Sequence, residues 1–282
     1  MRLRAYAELT KFEHTIFALP FLLAGIVLLV EDFPSLWKLF WVLVAFVSAR
    51  TLGMSLNRLI DLPIDQLNPR TKDWVHAKGE LSQEDIKKLV LISGGIFLLS
   101  CLMINLLTFL LAPFVVFLLW FYPYAKRVTY YPHLVLGLVY FLIPLAVDTA
   151  FNEGISKTAL LLGVGMAFWV AGFDVLYALQ DYEFDRTHNL KSISVKYGIG
   201  GALKISRLFH AITFLSLLAL FFVVDFLGLI YLLGLLVLGL FLLYEHSLIK
   251  EHDLSKINRA FFTVNGYVSV VYFLTVLLDR LI

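Results

Sequence analysis

The sequence has little charge and almost no cysteine. Only 16% of its 282 residues are charged, whereas 60% are hydrophobic, and the mean hydropathy is +0.85. This balance lies outside the range of soluble domains and predicts an integral membrane protein. A net charge of +2, with its basic residues spread over separate loops, gives no basic patch for nucleic acid. The single cysteine, Cys101, excludes an intrachain disulfide.

Apolar runs long enough to cross a hydrocarbon core of about 30 Å recur along the chain. They predict an all-α protein with nine spans, at residues 14–30, 36–60, 86–105, 107–122, 133–151, 158–179, 202–224, 227–244 and 260–278. The first run follows basic residues as a signal peptide would, but no small-residue cleavage site follows it, so we predict a retained helix.

The basic residues are distributed unevenly between the two predicted faces of the membrane. Only Lys38, Lys157 and Arg280 fall on one face, while the loops of the other face carry nearly all the rest. The positive-inside rule then puts the amino terminus in the cytosol and the carboxyl terminus on the opposite side of the cytoplasmic (inner) membrane.

The second run ends in Asn57, Asp61 and Asp65, which are spaced one helical turn apart. At about 100° per residue these side chains form a stack of oxygen ligands on one face of a helix. Such a stack next to lipid is suited to a divalent cation that carries a diphosphate, although a solvated helix end is the plainer alternative. Arg50 falls on the same face, either as part of a polar cavity wall or in a structural salt bridge.

The sixth run ends in a similar way. On a helix, Asp174, Asp181 and Asp185 would lie within about 40° of one another. Asp181 and Asp185 repeat the Asp61 and Asp65 spacing four spans later, which predicts two parallel four-helix halves plus a ninth helix. Facing carboxylate pairs repel each other unless cations lie between them, and Mg²⁺ prefers such oxygen ligands.

Basic side chains near these motifs are candidates to bind the diphosphate, although each also fits a role in topology alone. They are Arg50, Arg58, Arg70, Lys72, Lys126, Arg127, Arg186 and Lys191. Lys126 and Arg127 are the best candidates, because their short loop must lie at the mouth of a cavity.

Five sequence motifs carry a family resemblance. They are F-E-H-T-I-F-A-L-P from residue 12, N-R-x-x-D-x-x-x-D from 57, N-P-R-T from 68, Y-P-Y-x-K-R from 122 and Y-x-x-Q-D-x-x-x-D-x-x-x-x-L-K-S from 177. Together they resemble the UbiA family of intramembrane aromatic prenyltransferases, and most of all the branch that acts on 4-hydroxybenzoate.

The resemblance implies a single catalytic domain over residues 1–282, with nine helices around a central cavity that opens to the lipid. Asn57, Asp61 and Asp65 would hold one Mg²⁺, and Asp181 and Asp185 a second. Asp174 would orient the acceptor or take its proton. For the acceptor pocket we single out Tyr177, His14 and Tyr124, with an ordinary interfacial role as the alternative for His14.

Two places depart from the family pattern. The segment from Asp73 to Gly79 (D-W-V-H-A-K-G) stands where the family often has another arginine, and either Lys72 or Lys78 is a candidate replacement. Pro63 is predicted to bend the helix between the two aspartates. Away from the motifs, Asp148 is predicted to be solvated.

The function predicted from these features is Mg²⁺-dependent transfer of a polyprenyl group to an aromatic acid, in quinone biosynthesis. The predicted partners are a polyprenyl diphosphate, the aromatic acid and the lipid bilayer, and the oligomeric state is left open. One alternative keeps the chemistry but uses a naphthoate-type acceptor of a menaquinone route. A more distant alternative is a transporter of cations or organic anions.

Overall fold

The computed structural model describes residues 2–11 and 15–282, and side chains from residue 4 to 11 and from 18 onward. This part of the chain forms helices joined by loops, without a β-strand. The helices are α1 (Arg2–Thr10), α2 (Thr15–Leu29), α3 (Leu36–Asp65), α4 (Gln83–Ile104), α5 (Leu106–Val128), α6 (Pro132–Asn152), α7 (Lys157–Ala178), α8 (Tyr182–Thr187), α9 (Ile193–Leu220), α10 (Leu229–Leu248) and α11 (Asn265–Leu281). A 3₁₀ turn, Leu179–Asp181, precedes α8, and a π-helical segment, Arg259–Val264, precedes α11.

Eight helical stretches of the described residues are long and apolar enough to cross a membrane. They correspond to the second through ninth predicted spans and confirm the all-helical class. The first predicted span corresponds to α2, whose 15 residues are fewer than the about 20 that a span needs. The start of that predicted span, at His14, lies outside the described residues.

The chain forms two compact units, the first of which contains α1 and Pro34–Ala125. In this unit the loop between α3 and α4 is folded against both of its neighbours. Val75 and Leu81 of the loop pack with Leu9 of α1 and Ile86 of α4 in one buried cluster. The Ser82 capping box at the start of α4 then ends the loop. The loop is therefore held in place by apolar packing at its middle and by a helix cap at its end.

The second unit contains Ile16–Phe33 and Lys126–Ile282. Phe21 of α2 is 1% exposed and lies 4.4 Å from Trp169 and 5.1 Å from Tyr272 between ring centroids. The sequence analysis predicted that this first span belongs to the amino-terminal four-helix half. Its aromatic contacts instead place α2 in the core of the second unit, because α7 and α11 cover its ring.

A buried polar network in the second unit fixes the π-helical segment. Asn265 accepts a hydrogen bond from the Trp169 indole at 2.8 Å and donates one to Glu245 Oε1 at 2.8 Å. π-Helical turns are rare and often occur at functional sites. Here the segment brings Phe261 against Tyr177, with 4.2 Å between their ring centroids.

Helices α6 and α7 approach closely at Gly137. A Cβ atom at this position would lie only 2.6 Å from the backbone oxygen of Ala167. Small residues allow membrane helices to approach in this way. The contact sets the distance between the amino-terminal half of α6 and the carboxyl-terminal half of α7, where His133 and Asp174 lie.

We expect Gly137→Ala to lower the free energy of unfolding by about 1–3 kcal/mol, because the new methyl group must push α6 away from α7. Denaturant titration in mixed micelles measures this change. Gly95→Ala is the matched control, since a Cβ at Gly95 meets no atom within 4 Å and alanine favours the helix. Equal stability of the two variants would contradict the close approach.

Candidate active site

The first carboxylate motif lies on the last turns of α3. The helix continues through Pro63 and ends at Asp65, so Asn57, Asp61 and Asp65 follow one another at single-turn spacing. Both carboxylates are buried, with Asp61 2% and Asp65 6% exposed. The Asn57 amide donates a hydrogen bond to Asp61 Oδ2 at 3.1 Å. Pro63 does not interrupt α3, and the bend stays a prediction.

A buried arginine extends this motif towards the following loop. Arg58 is 7% exposed and donates from Nη1 to Asn57 Oδ1 at 3.1 Å. Its guanidinium carbon lies 4.3 Å from the ring centroid of Trp74, within the range of a cation–π contact. Arg70 and Lys11 lie over the same ring at 5.2 and 5.3 Å. Trp74 is thus surrounded by cations from α3, the loop and the amino-terminal segment.

A histidine that sequence analysis missed contacts the second aspartate of the motif. His76 Nε2 lies 2.8 Å from Asp65 Oδ2, and the histidine side chain is fully buried. Thr71 Oγ1 donates to the backbone oxygen of Asp65 at 3.0 Å. Only the departure from the family pattern marked this loop segment in the sequence.

The second motif differs from its prediction. Asp174 lies in α7, Asp181 ends the 3₁₀ turn and Asp185 lies in α8. A 3₁₀ turn has about 3.0 residues per turn instead of 3.6, so the change from α7 to α8 breaks the helical phase. The three aspartates therefore do not lie on one continuous α-helix, which the sequence prediction assumed.

Asp174 has a partner that the sequence did not indicate. Its Oδ2 atom lies 2.7 Å from His133 Nδ1, and His133 is 3% exposed. His133 lies on the first turn of α6, one turn before Gly137. An aspartate that accepts from one ring nitrogen leaves the other nitrogen of a neutral histidine as a proton acceptor.

The loop after the second motif is joined to the end of α5. The Lys191 backbone N–H donates to the Lys126 backbone oxygen at 2.7 Å, and the Leu190 N–H donates to the Asp185 backbone oxygen at 2.9 Å. The Lys191 ammonium donates to the Val128 backbone oxygen at 3.2 Å. These bonds hold the backbone at Lys126 beside Lys191, in the loop that follows the second motif.

A second basic contact lies beside this loop. The Lys196 ammonium donates to the Tyr131 hydroxyl at 2.9 Å, and the Tyr197 hydroxyl lies 2.6 Å from the same atom. The hydrogen bond from Lys196, with a smaller contribution from Tyr197, lowers the pKa of Tyr131.

The remaining predicted site residues fall in several places. Tyr124 packs on Trp120 in the first unit, and Tyr177 packs on Phe261 in the second. His14 lies outside the described residues. The other basic candidates not yet placed are half-buried Arg50 and Arg127, exposed Lys72, and Arg186, which is also exposed and pairs with Glu183.

Asp148 is not solvated, contrary to prediction. It is 1% exposed, and it accepts hydrogen bonds from the Asn152 amide at 2.7 Å and from the Ser156 backbone N–H at 2.6 Å. It therefore fixes the turn between α6 and α7.

The oxygen-donor set of the first motif fits Mg²⁺. In the described part of the chain, no three side chains of His, Cys, Asp or Glu lie close enough together to hold a metal ion by themselves. Mg²⁺ is usually held by one or two carboxylates together with waters and substrate phosphate oxygens, so a complete protein cage is not required. Two buried carboxylates and an amide on successive turns supply the protein's share of such a site.

The described part of the chain is all-helical, with helices long and apolar enough to cross a membrane. Two of these helices, α3 and α7, end at carboxylate motifs. Residues 18–267 match the model of the UbiA prenyltransferase family. The chain therefore belongs to the UbiA prenyltransferase family.

Individual relatives agree with this assignment. The chain is 29% identical over 255 residues to the 4-hydroxybenzoate octaprenyltransferase of Citrobacter koseri, covering 86% of this chain and 87% of that protein. The enzyme of the same name from Vesicomyosocius okutanii is 30% identical over 249 residues, covering 88% and 90%. The apo structure of a UbiA homologue from Aeropyrum pernix K1 has a TM-score of 0.85 and 31% identity, covering 95% and 98%. A homologue from Archaeoglobus fulgidus, bound to GPP and Mg²⁺, shares the fold at 18% identity and a TM-score of 0.76, covering 99% of this chain and 100% of that one.

Proposed function

We propose that the protein transfers a polyprenyl group from a polyprenyl diphosphate to the ring of an aromatic acid such as 4-hydroxybenzoate, as a step in quinone biosynthesis. The observation that carries the proposal is the pair of buried carboxylates on α3, Asp61 and Asp65, with Arg58 beside them. Family membership and the names of the relatives support transfer chemistry over transport.

Each carboxylate motif is proposed to bind diphosphate through Mg²⁺. Asn57, Asp61 and Asp65 would hold one Mg²⁺ and Asp181 with Asp185 a second. Bound Mg²⁺ neutralises charge on a diphosphate leaving group. Charge-assisted hydrogen bonds to the remaining oxygens would come from basic side chains in and near the sequence motifs. These are Arg50, Arg58, Arg70, Lys72, Lys126, Arg127 and Lys191.

The bond changes are those of electrophilic aromatic substitution. The allylic C–O bond breaks and its electron pair leaves with diphosphate, and a C–C bond forms to the ring carbon ortho to the acceptor's hydroxyl. The proton of that ring carbon must then go to a base. The Asp174–His133 pair is the proposed acceptor of this proton, since Asp174 orients the histidine ring. Apolar walls would keep water from the allylic cation, and we assign Tyr177, Tyr124 and His14 to the acceptor pocket.

The proposal also covers the setting of the reaction. The whole chain would act as one catalytic domain of nine membrane helices in the cytoplasmic membrane, with its site at the cytosolic face. The family match over residues 18–267 supports a single domain, and the basic loops that join the helices support the orientation.

A product assay on the purified full-length protein in detergent tests the function. With Mg²⁺, geranyl diphosphate and 4-hydroxybenzoate, we expect mass spectrometry to find a ring-linked prenyl product, and EDTA in excess of Mg²⁺ should abolish it. A hydroxynaphthoate in direct competition tests the acceptor. Preferential prenylation of the naphthoate would overturn the 4-hydroxybenzoate assignment. Absence of diphosphate release with both short and long donors would contradict prenyl transfer itself.

A further inference from the structure

The segment from Asp73 to Gly79 has no role in the prenyl-transfer chemistry proposed above, yet two of its side chains contact the first motif. His76 reaches Asp65 and Trp74 lies under Arg58. We propose that this segment, through His76 and Trp74, is a positioning element that presets the metal-binding carboxylate Asp65 and the diphosphate-binding arginine Arg58. The inference rests on the proposed function of the first motif.

The position of His76 is determined by the fold of the loop rather than by the motif. Its neighbour Val75 is buried with Leu9, Leu81 and Ile86. Backbone hydrogen bonds from Gly79 to the His76 oxygen and from Glu80 to the Val75 oxygen close a turn around the pair. The backbone that carries the imidazole is therefore held by the packing of Val75 and by a closed turn. A donor fixed in this way can orient a carboxylate before any ligand binds.

The hydrogen-bond chemistry defines the direction of the contact. An ionised carboxylate has only acceptors, so the hydrogen between His76 Nε2 and Asp65 Oδ2 must be carried by the histidine. Nδ1 of the same ring is buried and has no hydrogen-bond partner among the described residues. The contact to Asp65 is thus the one polar interaction of the ring within this part of the chain. Partners that hydrogen-bond to ligating groups in this way typically change metal affinity by about 10- to 100-fold.

Trp74 acts on the same motif through a second chain of contacts. The guanidinium of Arg58 lies against the indole face, and Arg58 in turn donates to Asn57, whose amide donates to Asp61. Trp74 and His76 are adjacent, with 6.0 Å between their ring centroids. One short segment is therefore linked to both carboxylates of the motif. His76 contacts Asp65 directly, and Trp74 is linked to Asp61 through Arg58 and Asn57.

The cavity beside this segment does not offer a competing anion site. Its volume is about 260 Å³, and Lys11, Arg58 and Lys78 line it together with Glu8, Asp73 and Glu80. Because acidic and basic side chains are balanced around it, the cavity does not attract a further anion. The contacts of His76 and Trp74 are therefore better explained by support of the motif than by a separate ligand site.

Paired variants of His76 test the proposal on the full-length protein. His76→Phe keeps a ring but removes the donor, whereas His76→Gln keeps an N–H donor near the position of Nε2. We expect His76→Phe to raise the Mg²⁺ concentration for half-maximal activity by about 10- to 100-fold, with kcat largely recovered at saturating Mg²⁺. His76→Gln should stay within a few-fold of wild type. Exposed His252, replaced by Phe, is the control.

A binding measurement without turnover gives an independent readout. We would follow the thermal stabilisation of each variant by Mg²⁺ with geranyl S-thiolodiphosphate, an analogue whose C–S bond resists cleavage. The Mg²⁺ midpoint should shift upward in His76→Phe and remain near wild type in His76→Gln. Trp74→Leu should instead weaken binding of the analogue at saturating Mg²⁺, because Arg58 loses its support.

The outcomes separate this proposal from the proposed function. An unchanged Mg²⁺ midpoint in an active His76→Phe enzyme would overturn the positioning role. If His76→Phe does not fold, His76→Asn replaces it, since its shorter amide cannot reach Asp65. Equal midpoints for Asn and Gln variants would then reject the proposal.

A wild-type protein that neither prenylates an acceptor nor is stabilised by Mg²⁺ with the analogue would instead reject the proposed function.

Discussion

Asp61→Asn is expected to lower kcat/KM for prenyl transfer by on the order of 10²- to 10³-fold. The substitution keeps the size of the side chain and removes its charge at a position that is 2% exposed and hydrogen-bonded to Asn57. Without that charge, the motif loses one of the two carboxylates on α3 that are proposed to hold Mg²⁺. Initial rates at saturating Mg²⁺, with product quantified by mass spectrometry, measure the loss.

The control for this variant is Asp32→Asn, which makes the same chemical change at an exposed position. Both proteins should melt close to the wild-type temperature, so that the loss of rate reflects chemistry rather than unfolding. Wild-type activity in Asp61→Asn would remove the first motif from the metal site.

Asp181→Asn is expected to cause a loss of similar size, on the order of 10²-fold or more. The reason differs from that for Asp61, since Asp181 is half-buried at the end of a 3₁₀ turn. Its carboxylate is proposed to hold the second metal with Asp185, so the variant should also require more Mg²⁺. Rates measured over a range of Mg²⁺ concentrations detect both effects.

Asp225→Asn, an exposed aspartate of the same unit, serves as the control for the second motif. If Asp181→Asn retained full activity and the wild-type Mg²⁺ requirement, the second metal site would have to be abandoned. A loss confined to Asp61→Asn would indicate that one motif alone binds the metal.

The helices were predictable because a membrane span leaves a strong local signal. Runs of about 20 apolar residues marked the positions of α3 to α7 and of the three long helices that follow, and the stack of Asn57, Asp61 and Asp65 followed from helix geometry alone. The family resemblance, carried by motifs spread along the sequence, was confirmed by the match over residues 18–267.

The predictions failed where local geometry or a distant partner decides the structure. The phase of Asp181 relative to Asp174 depends on a three-residue 3₁₀ turn, which composition does not mark. The burial of Asp148 depends on the chain turning back so that the Ser156 N–H reaches its carboxylate.

Contacts between separate segments were also beyond the sequence pattern. His76 meets Asp65 because Val75 fixes the loop against α1 and α4. His133 meets Asp174 because Gly137 lets two helices approach. In each case the contact depends on packing by a neighbouring apolar residue or glycine, so spacing along the chain does not reveal it.

The placement of Phe21 between Trp169 and Tyr272 bears on how the protein is made. Ribosomal synthesis delivers α2 among the first helices and α11 as the last, so the phenylalanine ring waits for one of its partners until synthesis is nearly complete. Contacts between such distant parts of a chain form slowly. The aromatic cluster around Phe21 is therefore among the last parts of the second unit to form, and the unit closes around α2 only when the final helix has been made.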